Sequence, residues 1–264
     1  MKIILSKKGF DSSSAGCPSP ILPDGTMLSM PMPTGSEKYR YADLAYNSLN
    51  YAELIKSFNP QFKYEYCHLD PDIRSGIRET PESWLAAFGQ TGAAQSYLAN
   101  NHVDVGDVFL FFGRFHRLDN DFRFIRKSND FYSRSDLHII YGFLQIGKIV
   151  KAQDIKNYPW HPHSEEGYHA NNTLYIPSAH LFINEKIYGD GFGVFSYDKK
   201  RVLTKEGCSC ANWIPHECLL PAHVCGGRKN SSKMDALYYA GQWQELVFDS
   251  DNNPMILDWL KNIF

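Results

Sequence analysis

His68-Leu69-Asp70-Pro71-Asp72 sets one imidazole and two carboxylates within a few positions of the chain. Close like charges raise the pKa of one carboxylate, which then serves as a general acid or base. Asp70 and Asp72 share a side on an extended chain, and His68 is an alternative base near neutral pH. These three are the candidate catalytic residues. The plainer alternative is a polar turn, because Asp-Pro is a common turn pair.

Four further groups carry chemical potential. Asp11-Ser12-Ser13 lies in a serine- and glycine-rich stretch directly after an apolar run. Backbone N–H groups and hydroxyls in such a loop suit a phosphate or carboxylate, and Asp11 suits a sugar hydroxyl or base amino group. The stretch is not a P-loop. Residues 114–136 interleave Arg114, Arg117, Arg123, Arg126, Lys127 and Arg134 with Phe115, Phe122, Phe124, Phe131 and Tyr132. That mixture can follow a phosphate backbone and stack bases. Trp160-His161-Pro162-His163 contains an H-x-H pair but shows no third ligand at a diagnostic spacing, so a surface loop is expected. Cys208, Cys210, His216, Cys218, His223 and Cys225 are potential zinc ligands whose spacings fit no usual pair, and free thiols are the expectation. No metal is assigned, no cofactor is specified, and no G-x-S-x-G elbow occurs.

The elements that position these residues follow from patterning. Residues 2–6 read as a short buried strand, and residues 27–32 as an edge strand held there by prolines. Residues 39–58 have near-helical apolar spacing. Residues 62–69 alternate weakly, as a strand does. Thr80-Pro81 resembles a helix start that would run through residues 95–98. Residues 108–112 and 138–148 are the clearest strands, the second bulged at Gly142 and Gly147. Residues 157–170 form a loop, residues 189–195 a turn into a strand, and residues 201–207 another strand. A strand over 244–248 and a helix over 254–264 close the chain. The expected fold is α+β: one mixed domain spanning 1–264, with a mainly antiparallel sheet and flanking helices.

Composition limits the function. The 264 residues include 27 Lys and Arg against 29 Asp and Glu, so the net charge is −2 and no global nucleic-acid polycation is present. Aromatics make up 14% of the chain, which suits either a β-rich core or base stacking. No apolar run approaches the roughly 18 residues of a membrane span. The N-terminal apolar run is too short for a secretory signal. Six cysteines without an export signal point to reduced thiols in the cytoplasm.

Several segments together resemble one family. Lys8-Gly9-Phe10-Asp11-Ser12-Ser13, Pro18-Ser19-Pro20-Ile21 and Pro23-Asp24-Gly25 are similar to the opening of the nucleotide-modification-associated domain proteins, the third family of that name. His68 to Asp72, Phe88-Gly89-Gln90, Gly106-Asp107, Phe109 to Gly113, Gly142 to Gly147, Gly191 to Phe195 and Gly241-Gln242 continue the likeness in order. The resemblance implies base or nucleotide modification in a bacterial or phage setting, with a nucleobase, nucleotide or nucleic acid as partner. It supplies no catalytic set. The hairpin from Gly106 to Lys148 also looks like part of a PUA-type barrel, a module that holds modified bases.

On this basis the expected activity is modification of a nucleobase or nucleotide. Asp11, Ser12, Ser13, Gln90, Arg114 and Gln145 are the expected substrate-binding residues. Gln90 would read a base edge and Arg114 would meet phosphate. The alternatives are a non-catalytic PUA-like reader stacking a base on Phe111, Phe112 or Phe115, and an NAD- or nucleotide-sugar-dependent transferase. Oligomeric state stays open.

Overall fold

A computed structural model describes residues 1–11, 13–165, 167–227, 237–239, 241 and 243–264. A curled, mainly antiparallel sheet runs in the order Glu245–Asp249, Lys2–Lys7, Val108–Arg117, Leu137–Lys151, Thr173–Pro177, Phe88–Gln90. Phe192–Val194 joins the Leu137–Lys151 strand, and Ser19–Ile21 joins Val108–Arg117. Among the described residues two pairings are parallel: Lys2–Lys7 and Ser19–Ile21, each against Val108–Arg117. Few helices flank the sheet, so the fold is mixed α+β. Among the described residues no helix is long and apolar enough to cross a membrane.

Strand alternation splits the sheet into two buried faces. Ile4, Phe109, Phe111, Phe115, Ile139, Tyr141 and Val247 pack on one face, with Phe88 and Ile73 against them. Ile3, Leu5, Leu110, Phe112, Ile140, Leu246 and Phe248 pack on the other, closed by Trp213 and the Met255–Ile263 helix. Phe111, Phe112 and Phe115 are fully buried. They build the core and offer no base-stacking surface.

The Leu137–Lys151 strand shifts register between Ile140 and Gly142, and again between Ile146 and Lys148, as its glycines predict. The expected helix over 39–58 shrinks to Tyr51–Phe58. Asn47 takes a positive φ before it, and Asn50 caps it by accepting from the Ala52 and Glu53 amides. No helix starts at Thr80. Asp72 bridges Ala87, Phe88–Gln90 is a strand, and the helix occupies Gly92–Asn100. Residues 27–32 are not a strand; Met27 makes one bridge, and pairing resumes at Met32–Thr34. Residues 201–207 contribute isolated bridges at Val202 and Thr204.

A smaller sheet supports the candidate site. Met32–Thr34 and Tyr39–Arg40 both pair antiparallel with Tyr66–His68. The turn between the first two carries Glu37, and the third ends on His68.

Candidate active site

Three segments distant in sequence meet above the face that carries Phe88. His68 ends its strand, and the chain turns at once, the Asp70 amide bonding the His68 carbonyl at 3.0 Å. Asp70 Oδ1 accepts from the Gly89 amide at 2.7 Å, which ties this turn to the Phe88–Gln90 strand. His161 and His163 come from the 157–170 segment. It is a loop, as expected, but the two rings are 0% and 4% exposed and not on the surface. Burial follows from the anchors around them. Trp160 is buried and donates to the Leu85 carbonyl at 3.3 Å, while Tyr39 donates its hydroxyl to the Trp160 carbonyl. Gly89 makes room for the second ring: a Cβ there would lie 2.4 Å from His163 Cδ2.

Hydrogen bonds fix the orientation of each ring. His68 Nδ1 lies 2.8 Å from Glu37 Oε2. The carboxylate only accepts, so Nδ1 donates and Nε2 turns toward Asp70, 4.0 Å from Oδ2. His163 Nδ1 donates to Asn172 Oδ1 at 2.6 Å, while Asn172 Nδ2 donates to the His163 carbonyl at 2.9 Å. That pair of bonds sets the amide orientation and leaves the His163 lone pair on Nε2. His161 Nδ1 accepts the His163 amide at 3.2 Å, which puts its ring proton on Nε2. This Nε2 is 3.2 Å from Asp70 Oδ1, yet the approach lies outside hydrogen-bond geometry and the atom has no other partner among the described residues. Tyr168 stacks on His163 with ring centroids 4.3 Å apart.

The electrostatics keep Asp70 ionised. Burial alone would raise its pKa, but the His161 contact and the Lys8 charge outweigh burial and hold it well below the usual carboxylate range. His163 is pushed down to about 3, chiefly by burial. Burial also works against charge on His68, but the Glu37 bond and the Asp70 carboxylate prevail, and its pKa is raised. Lys8 stands next to this group. The chain turns at Gly9, whose φ is +79°, and the Lys8 ammonium sits 4.4 Å from the Phe88 ring centre and 3.7 Å from Glu245 Oε1.

The other expected residues are placed elsewhere or bonded differently. Asp72 is buried and directs Oδ2 to Arg78 and Trp84. Burial raises its pKa despite that cation. Asp70 and Asp72 thus spend their oxygens on different partners and do not form a facing pair. Asp11 bonds Lys7, Ser13 and Ser14 within its own loop. Ser12 lies outside the described residues. Gln90 is close to the group, its Nε2 bonded to Glu245 and its Oε1 to the Thr91 amide. Arg114 is paired with Asp136. Gln145 ties Gly106 to Phe182 through three hydrogen bonds.

A cavity of about 30 Å³, room for about one or two waters, opens beside Asp70 and is lined by Gly9, Ser29, Pro71, Arg74 and Tyr141. A far larger open groove of about 830 Å³, lined by Gly106, Gln145, Pro177 and Phe182, gathers no comparable set of titratable groups. The titratable centre at His68, Asp70 and His163 touches the smaller cavity through Asp70 alone, and its chemistry, not cavity size, makes it the candidate site.

The structure brings His68 and Asp70, both singled out from the sequence, together with His161 and His163, expected on a surface loop, and with Lys8, Glu37 and Asn172, to which the sequence assigned no role. The available signal was the repeated one-residue spacing, H-x-D at 68–70 and H-x-H at 161–163. Each is half of a constellation. Among the described residues, one group of His, Cys, Asp or Glu side chains brings three ligand atoms within 4.8 Å of one another: His68, Asp70 and His163. The cysteines from 208 to 225 form no such group and are free thiols.

No curated protein and no solved structure matches the chain. The sequence profile of nucleotide modification associated domain 3 does match, over residues 2–251. That span covers the sheet, the His68–Asp70 turn and the His161–His163 loop, and the chain belongs to the nucleotide modification associated domain 3 family.

Proposed function

We propose that this chain is an enzyme that modifies a nucleobase or nucleotide, with its reacting centre at His68, Asp70 and His163. The observation that carries this is the orientation of the two rings: each spends Nδ1 on a fixed partner and keeps Nε2 for the centre beside an ionised Asp70. Preoriented ring nitrogens, one with an unspent lone pair on His163 and one on His68 that can carry a proton, are what proton transfer needs. Lys8, beside the centre, suits a phosphate or a developing negative charge. The family supplies the substrate class. Arg123, Arg126, Lys127 and Arg134 are exposed on the 114–136 segment and suit contact with a strand.

The test is mass spectrometry of free nucleotides and oligonucleotides incubated with the protein and candidate group donors, NAD and a nucleotide sugar among them. A mass change made by the wild type and lost in Asp70→Asn supports the proposal. Binding to modified oligonucleotides with no mass change under any condition would replace it with a reader role, and with it the PUA-like expectation. Core burial of Phe111, Phe112 and Phe115 already speaks against stacking on those rings.

A further inference from the structure

Hydrogen-bond bookkeeping around His68, Asp70 and His163 leaves an unusual remainder. Both histidines donate Nδ1–H outward, to Glu37 and Asn172. Both Nε2 atoms therefore face inward beside an anionic carboxylate, His163 with a lone pair and His68 with a proton that a metal ion would displace. Lone pair facing carboxylate is repulsive unless a cation lies between them. Buried His161 carries the second anomaly, an Nε2 without a hydrogen bond 3.2 Å from Asp70 Oδ1.

We propose that His68 Nε2, Asp70 and His163 Nε2 bind one divalent transition-metal ion. Two imidazoles and one carboxylate form a ligand set suited to zinc or ferrous iron with open positions for water or substrate. The outer contacts match what such a site requires. Ligating histidines donate their other nitrogen to a carboxylate or carbonyl oxygen, and Glu37 and Asn172 fill those places. Asp70 is steadied by the Gly89 amide, and a small rotation of its carboxylate would align it with the His161 N–H. The three ligand atoms lie within 4.8 Å of one another. Bonds of about 2.0–2.2 Å require them to close in, which side-chain rotation accomplishes. Two carboxylates, Asp70 and Glu37, stand against one ammonium, Lys8, so the local charge attracts a cation. The ion's role as a Lewis acid or water activator rests on the nucleotide-modifying proposal; its binding does not.

Metal uptake is measured on tag-free, chelator-treated full-length protein without nucleotide, so that failure here is distinct from failure of the activity. Zn²⁺ content after equilibrium dialysis and the visible absorbance of added Co²⁺ are the readouts. The wild type is expected to take up about one equivalent, and His68→Ala and His163→Ala to weaken binding about 100-fold or more. Glu37→Gln, a change in a positioning residue, should weaken it about 10-fold, with its effect on the metal-free fold read separately as the melting temperature of the chelator-treated protein. His68 is partly exposed, so His68→Ala decides the matter if His163→Ala fails to fold. The paired variant Cys208→Ser with Cys210→Ser should bind as wild type does. Uptake below a tenth of an equivalent in the wild type, uptake indifferent to His68→Ala, or uptake lost with the two cysteines would each overturn the proposal.

Discussion

Lys7 and Lys8 are neighbours in the chain and belong to opposite faces of one sheet. Lys8 stands over Phe88 beside His68 and Asp70. Lys7 bonds Asp11 at 2.6 Å on the side where Arg114, Asp136 and His138 lie. Both regions are rich in His, Asp and basic side chains, yet they differ in what remains unspent. On the Lys7 side, Arg114 binds Asp136 through Nε and Nη2, His116 gives one ring nitrogen to Asp136 and the other to the Ile125 carbonyl, and Asp11 is saturated by Lys7, Ser13 and Ser14. On the Lys8 side, two ring nitrogens face the centre without a fixed hydrogen-bond partner among the described residues, and a third buried ring nitrogen lacks a bond. Counting charged residues does not separate the regions. Counting unspent donors and acceptors does, because a satisfied network stabilises one arrangement while an unsatisfied buried group calls for a further partner such as a water, an ion or a substrate.

The largest expected effect tests the Lys8 side. Gly89→Ala places a methyl group 2.4 Å from the His163 ring and should displace it. Zn²⁺ affinity and turnover should each fall about 100-fold. Full activity in this variant would detach His163 from the centre. Asp136→Asn tests the other side. It leaves Arg114 and His116 without their carboxylate. Breaking buried pairs costs about 3–5 kcal/mol, and the partial exposure of Arg114 and Asp136 brings the expected loss to about 2 kcal/mol. Urea unfolding reads this loss, while Zn²⁺ uptake should be unchanged. An exchange of these two outcomes would break the comparison.

How far the sequence foretold each region depends on the range of the forces involved. The strands at 108–117 and 137–151 were legible because apolar runs and glycine punctuation are local signals, and both bulges fell where glycines stand. The turn at His68–Asp72 was legible as chemistry, but the divergence of Asp70 from Asp72 was not. It depends on Arg78 and Trp84 claiming one carboxylate and Gly89 and His161 the other. The H-x-H pair looked like surface because polar, proline-containing loops usually are. Its burial comes from contacts with residues 39 and 85, remote in sequence. The helix expected over 39–58 failed for a local reason that apolar spacing does not show: Asn47 sits in the left-handed region and Asn50 serves as a cap.

His138 gives the Lys7 side a pH signature. It is buried, accepts the Trp213 indole N–H at 3.0 Å, and has its pKa driven to about 3 by burial first and then by the charges of Lys7 and Arg114, which outweigh Asp11 and Asp136. The folded ring thus stays neutral while the unfolded ring titrates near 6.5. Between those values the unfolded state binds more protons, so the contribution is present above about pH 6.5 and is lost progressively as the pH falls. At pH 5 the expected loss is about 2 kcal/mol. Urea midpoints at pH 7 and pH 5 should therefore differ less in His138→Gln than in the wild type. Equal differences would mean that the ring is charged in the fold.

Lys7→Met carries the smallest expected effect and the sharpest contrast. The Lys7–Asp11 pair is partly exposed, and pairs of this kind contribute about 1 kcal/mol or less. Its loss should also let the Asp11 pKa rise, since the Lys7 bond opposes the raising effect of burial. As the pH falls from about 4 toward the strongly depressed folded pKa of Asp11, the variant and the wild type should converge progressively in stability, because the folded-state advantage of a depressed carboxylate disappears only as it protonates in the fold. Nucleotide binding, read as a thermal upshift, should be unaffected, whereas Lys8→Met, one residue on, should lose the upshift given by phosphate-bearing nucleotides but keep its Zn²⁺. If Lys7→Met also abolishes the upshift, the Asp11 loop joins the substrate site, and the division of the sheet into a structural face and a chemical face fails at its edge.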